Sequence, residues 1–311
     1  MGCGASSTII ITLDRTNSLF FSDEIISGTV QLHIKDKKLC ADQIDLNLIG
    51  EVGYTTTHTS SVNGQATTST TYHHIPFLKT KHVLACAQAE GEELTYTQDQ
   101  NLWSFQFKLP DYLPPSLCTP QQYPHVRYYL QVLIEKPWYK RNIRENRYIT
   151  VFPSVNLLAQ QQCLTGSTFG NHNRKDIILK GTLSKTGYVP GESILITIEI
   201  ENPRGVLIKQ INLSMIQSYE IEGRSRDIIV TSCTVPGIID RKDERIVQTF
   251  DASIPAVPLA PSYQFRGGIK ELALVNVKYI WKFEVKVEGM FTNFETMIPI
   301  IIGTEPYTNQ P

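Results

Sequence analysis

No stretch of the 311-residue sequence approaches the roughly 18 to 20 consecutive apolar residues that cross a bilayer as a helix. The first ten residues also lack the charged-then-apolar plan of a secretory signal, so the chain is expected to be made and kept in the cytosol. An excess of either charge is missing too. Lys plus Arg is 29 and Asp plus Glu is 30, a formal charge of −1, which leaves no global positive field to hold nucleic acid. Cysteine is sparse and unpatterned: Cys3, Cys40, Cys86, Cys118, Cys163 and Cys233 form no C-x-x-C pair and no zinc-ligand spacing with histidine. They read as reduced thiols.

Short catalytic signatures are also missing. There is no G-x-S-x-G elbow, no G-x-x-x-x-G-K-[ST] phosphate loop and no H-E-x-x-H helix. Glu92-Glu93 would point to opposite faces of a strand, so a loop of solvated charge is expected there. His73-His74, with His58 and His82 nearby, read as exposed loop histidines, because zinc needs convergent imidazoles. No enzyme activity, cofactor or metal is expected.

What is present is alternation. Apolar residues make up 41% of the chain and charged ones 19%, enough for two cores of ordinary domain size. Val30, Leu32 and Ile34 alternate with polar residues, as do Ile44, Leu46 and Leu48 with Asp45 and Asn47, and Phe105, Phe107 and Leu109 with Gln106 and Lys108. Farther on, Ile194, Ile196, Ile198 and Ile200 share one face, and Val277, Tyr279, Trp281, Phe283, Val285 and Val287 share another. Period two with Gly, Pro and Asn punctuation predicts an all-β chain of two tandem antiparallel sandwiches, immunoglobulin-like in class.

The halves repeat each other in order. Leu13-Asp14-Arg15-Thr16 followed by Ser22-Asp23-Glu24 matches Leu183-Ser184-Lys185-Thr186 followed by Pro190-Gly191-Glu192. Gln43-Ile44-Asp45-Leu46 matches Gln210-Ile211-Asn212-Leu213, and the end at Leu109-Pro110 matches Ile254-Pro255. Val126-Arg127-Tyr128-Tyr129-Leu130 matches Val277-Lys278-Tyr279-Ile280-Trp281. The expected domains span 8–155 and 176–303, joined by a polar, non-periodic linker at 156–175 and ending in a short tail, 304–311.

The run from Phe105 to Trp138, with F-K-L-P, L-P-P-S, V-R-Y-Y and a closing P-W, resembles the amino-domain of the alpha-arrestins within the arrestin family. GYVPGESILITIEI (187–200) and the late V-x-V-x-Y-x-W strand resemble an arrestin carboxy-domain. The resemblance implies two seven-to-eight-stranded sandwiches and a non-enzymatic adaptor. Such an adaptor would bind cytosolic regions of receptors or transporters and link them to trafficking, endocytic or ubiquitin machinery. Two features depart from it. The only P-P, Pro114-Pro115, is not part of a P-P-x-Y motif for WW domains, and the first strand, Thr8 to Thr12, lacks the paired lysines of receptor-type phosphate sensors. The alternatives are a coat-like sorting subunit of the retromer arrestin-fold type, or a redox regulator through Cys233. One family member pairs with thioredoxin through a second-domain cysteine, but the local sequence here matches poorly, so Cys233 reads as a buried small hydrophobe.

Three segments are candidate contacts. Met1-Gly2-Cys3-Gly4-Ala5-Ser6 fits the pattern for myristoylation of Gly2, with Cys3 placed for palmitoylation and attachment to the inner membrane leaflet, on plasma membrane or endosomes. Between Thr55 and Thr71, eleven of seventeen residues are Ser or Thr, centred on Asn63-Gly64, a type I′ turn dipeptide. That predicts a protruding polar hairpin pairing Val62 with Gln65, Thr59 with Thr68 and Thr57 with Thr70; with His58, Asn63 and Gly64 these residues form a candidate cargo contact. Lys136, Lys140, Arg141, Arg144 and Arg147, beside Trp138 and Tyr139, could meet anionic lipids or phosphorylated tails.

Overall fold

The computed structural model describes residues 7–34, 38–62, 65–87, 94–96 and 100–304. Gly2, Cys3, Asn63, Gly64 and Glu92-Glu93 lie outside the described residues. The chain is all-β, built as two tandem sandwich units: Met1–Pro153 with Phe265–Leu274, and Ser154–Gln264 with Val275–Pro311.

The first ten strands are β1 (Ser7–Leu13), β2 (Leu19–Phe21), β3 (Ile25–Ile34), β4 (Leu39–Ala41), β5 (Gln43–Val62), β6 (Gln65–Cys86), β7 (Leu94–Tyr96), β8 (Gln100–Lys108), β9 (His125–Glu135) and β10 (Ile143–Phe152). They form a sheet ordered β1-β3-β8, a sheet ordered β2-β10-β9-β5-β6, and the small pair β4-β7. The remaining strands are β11 (Ser167–His172), β12 (Ile178–Leu183), β13 (Gly187–Tyr188), β14 (Ser193–Glu201), β15 (Ile208–Ile221), β16 (Arg224–Thr234), β17 (Arg245–Ser253), β18 (Tyr263–Gly267), β19 (Ala273–Val287) and β20 (Phe294–Ile302). These order as β11-β12-β14-β17 and β13-β20-β19-β15-β16, with β18 joined to β19.

The sheet orders make the sequence repeat physical, since β1-β3-β8 answers β12-β14-β17 and β2-β10-β9-β5-β6 answers β13-β20-β19-β15-β16. Even the parallel pairings recur, β2 on β10 and β13 on β20. Matched side chains do the same work in both units. Glu24 accepts from Arg15 and from the Phe21 amide; Glu192 accepts from Lys185 and from the Val189 amide. Gln43 donates to Asp45 at 2.6 Å, and Gln210 to Asn212 at 3.0 Å. The Tyr128 hydroxyl donates to the Pro114 carbonyl at 2.5 Å, and that of Tyr279 to the Ala260 carbonyl at 2.7 Å. Each tyrosine is buried, so its hydroxyl needs such a partner.

The apolar faces read from the alternation are the cores. The four isoleucines of β14 are fully buried, as is the stripe from Val277 to Val287 on β19. Each large side chain removed from water stabilises by roughly 1.5 to 3 kcal/mol. Two expectations are corrected. Asp45 and Asn47, read as water-facing, are buried: β5 is an interior strand flanked by β6 and β9, and Asp45 is paired there with Lys81 at 2.7 Å and accepts from Gln43 at 2.6 Å. Residues 156–175 are not a bare connector: they hold 3-10 turns at Leu157–Ala159 and Gln161–Leu164 and strand β11, which pairs along its length with β12. Backbone pairing needs no apolar periodicity, so composition alone hid that edge strand.

Candidate functional site

β5 and β6 are much longer than the strands around them. β5 pairs with β9 only from Gln43 to Gly53, and beyond that point it pairs with β6 alone as far as Val62 and Gln65. The expected pairs are present: Val62 with Gln65, Thr59 with Thr68, Thr57 with Thr70. From Thr57 to Ser61 and from Ala66 to Tyr72 every residue is exposed, so neither face has a core. β-branched threonines hold the extended form, and cross-strand pairs such as Thr59 Oγ1 to Thr68 Oγ1 at 3.4 Å add roughly 0.2 to 1 kcal/mol each. His58, exposed, lies opposite Ser69 on this ladder.

The base of the hairpin is fastened on both faces. Adjacent strand residues point opposite ways, so His73 and His74 serve different sides. On one side His73 stacks on Tyr54, with ring centroids 4.6 Å apart, and its Nε2 lies 2.8 Å from Thr56 Oγ1. On the other, Gly53 sits directly between His74 of β6 and His125 of β9. A Cβ on Gly53 would come within 2.3 Å of His125 Nε2, so glycine is what lets the imidazole lie across the strand.

Glu51, two residues along the same face, joins this group. Its Oε1 accepts from Arg127, directly opposite on β9, at 2.7 Å from Nε and 2.5 Å from the terminal nitrogen. His74 Nδ1 is 3.1 Å from the same oxygen, and Tyr129 donates to Oε2 at 3.4 Å. A loop closed by the Leu117 and Val126 backbone pair brings two carbonyls to the cluster, Pro120 to Arg127 at 2.8 Å and Gln122 to His125 Nδ1 at 2.6 Å. Tyr123 from that loop lies 2.9 Å from His74 Nε2. Burial, and then the Glu51 carboxylate, push the Tyr129 phenol up to about 12. Burial lowers the His125 pKa. The ligand atoms of Glu51, His74 and His125 all fall within 4.8 Å of one another. His125 was not among the residues singled out from the sequence, and the histidines that were do not meet: His58 and His82 lie elsewhere on the ladder. All four are strand residues, which corrects the loop reading.

The basic stretch lies at the opposite end of the sheet, since Gln43, the first residue of β5, faces Glu135, the last of β9. Lys136, Lys140, Arg141 and Arg144 line an open depression of about 740 Å³ with Trp138, and none of its lining residues is acidic. Trp138 is 95% exposed. Arg147 does not join them. It lines a separate depression with Ile9 to Ile11, farther along β10. Cys233, expected to be buried, is exposed on β16 opposite Leu213, although partial desolvation of the thiol still pushes its pKa upward. A raised pKa lowers the thiolate fraction that redox exchange needs.

A model of the arrestin (or S-antigen) N-terminal domain matches residues 9–158, and a model of the arrestin C-terminal domain matches residues 173–307.

Proposed function

The chain belongs to the arrestin family, and on that premise we propose that it is a non-enzymatic adaptor that binds cytosolic regions of receptors or transporters and links them to endocytic or ubiquitin machinery. Members of this family are in general non-enzymatic adaptors that bind cytosolic parts of membrane proteins and trafficking machinery. The observation that carries the reading is the hairpin beyond Thr56, a two-stranded ladder whose described residues have both faces in water. An isolated two-stranded hairpin is marginal by itself, so its rows of backbone groups and hydroxyls are suited to pairing with an extended partner segment. Replacing residues 57–70 with a short Gly-Ser turn is expected to leave the thermal midpoint nearly unchanged, since no core residue is removed, and to reduce recruitment to membrane cargo in cells. Undiminished recruitment would remove the hairpin from the mechanism.

Attachment at the membrane comes, in this proposal, from acylation of Gly2 and Cys3. One myristoyl chain holds only weakly, at about 0.8 kcal/mol per buried methylene, and a second chain makes the anchor stable. β1 begins at Ser7, so an anchored terminus keeps the first sheet close to the lipid. The basic depression would add attraction to anionic headgroups. Intact mass of protein from eukaryotic cells is expected to carry the acyl addition, and Gly2→Ala is expected to shift the protein from the membrane to the soluble fraction. An unacylated Gly2, with Gly2→Ala distributed as the parent is, defeats this part.

A further inference from the structure

We propose that Glu51, His74 and His125 bind one divalent transition ion of the Zn2+ type at the base of the hairpin. Two imidazoles and a carboxylate are a borderline-soft donor set that suits zinc better than calcium or magnesium, which take all-oxygen shells. The chemistry of each donor is prepared. His125 is 0% exposed, and its Nδ1 donates to the Gln122 carbonyl, which fixes the tautomer with a bare lone pair on Nε2. That Nε2 is buried with no hydrogen-bond partner among the described residues, and it is aimed into the cluster over Gly53. A buried polar atom left unpaired is costly, and an ion supplies what it lacks.

His74 has the same plan with its nitrogens exchanged. Nε2 is held by the Tyr123 hydroxyl, leaving Nδ1 toward Glu51. An imidazole whose far nitrogen is anchored by a carbonyl or hydroxyl is the usual outer support of a metal ligand. Arg127 gives that support to the carboxylate, fixing Glu51 through the same Oε1 that His74 faces, and its positive charge there limits the affinity. Zinc bonds of about 2.0 to 2.2 Å place tetrahedral ligand atoms roughly 3.4 Å apart. The ligand atoms here lie within 4.8 Å of one another, so they need to close by at most about 1.4 Å on binding. On binding, the tautomer with its proton on Nε2 turns the His74 Nδ1 lone pair to the ion, and the fourth position is open to water.

The three ligands come from β5, β6 and β9, at the row where β9 stops pairing and the hairpin continues alone. The ion therefore staples the hairpin to the sandwich. The site stands independently of the adaptor role, because its test reads metal and not cargo.

The full chain, stripped with a chelator and with its thiols blocked by N-ethylmaleimide, is titrated with Zn2+ by calorimetry and with Co2+ by visible absorption. One equivalent of Zn2+ and the intense visible bands of four-coordinate Co2+ are expected. His74→Gln, at an exposed position that keeps the fold, is expected to weaken binding at least about tenfold and to abolish the bands. His58→Gln and His82→Gln are expected to bind as the parent does. Absence of binding by the parent, or binding by His74→Gln equal to it, overturns the proposal.

Discussion

Arg127→Met is expected to destabilise the first unit by about 3 to 5 kcal/mol, the cost of leaving a buried carboxylate without its partner. Glu51 and Arg127 side chains are only 10% and 19% exposed, so water screens the pair little. Arg127 has no equal substitute nearby. Its guanidinium also holds the Pro120 carbonyl and lies 5.7 Å from the Tyr129 ring centroid, so methionine keeps the stem's packing and removes only the charge and its donors. The double variant Glu51→Gln/Arg127→Met is expected to recover much of the loss, because the remaining amide is neutral. Denaturant unfolding of the parent, both single variants and the double gives the coupling directly. A cost below about 1 kcal/mol for Arg127→Met would place the pair with ordinary surface ion pairs and refute the argument.

In the second unit the largest expected effect is alkaline. Tyr188 is 1% exposed, and burial followed by the nearby Glu192 charge pushes its phenol up to about 12. Tyr279, buried with its hydroxyl on the Ala260 carbonyl, is also raised, chiefly by burial. The sign is that of a raised acid: the unfolded chain releases these protons near pH 10 while the folded chain retains them. The stabilisation is whole below pH 10 and is lost as pH climbs through about 12, by roughly 3 kcal/mol for Tyr188 alone at 1.36 kcal/mol per pH unit. Unfolding followed from pH 9 to 12 is expected to show a stability decline that Tyr188→Phe makes shallower, the remainder being due to Tyr279. If Tyr188→Phe declines as steeply as the parent, the buried phenol is not the cause.

Much of this was legible in the order of residues. Alternation names the face of a strand, so the pattern alone assigns Ile194 to Ile200 and Val277 to Val287 to cores. Repetition names the plan, which is why Glu24 and Glu192, or Tyr128 and Tyr279, have the same partners. Counting outward from Asn63-Gly64 yields the hairpin register, and the same count places His74 opposite Gly53.

The rest needed contacts that no local pattern encodes. The placement of His125 against Gly53 depends on how β9 registers on β5 across more than seventy residues of chain, a choice made by the packing of both sheets together. A period-two pattern is unchanged by sliding one strand two residues along another, so it tells which face a histidine takes and not which carboxylate it meets. The burial of Asp45 and the strand hidden in 167–172 have the same origin, since neighbours contributed by distant segments determine what water reaches. The sequence by itself thus determined the strand faces, the turn and the doubled plan. Only the tertiary structure could bring Glu51, His74 and His125 to one point, because their meeting rests on register between strands, which is a property of the assembled sheet.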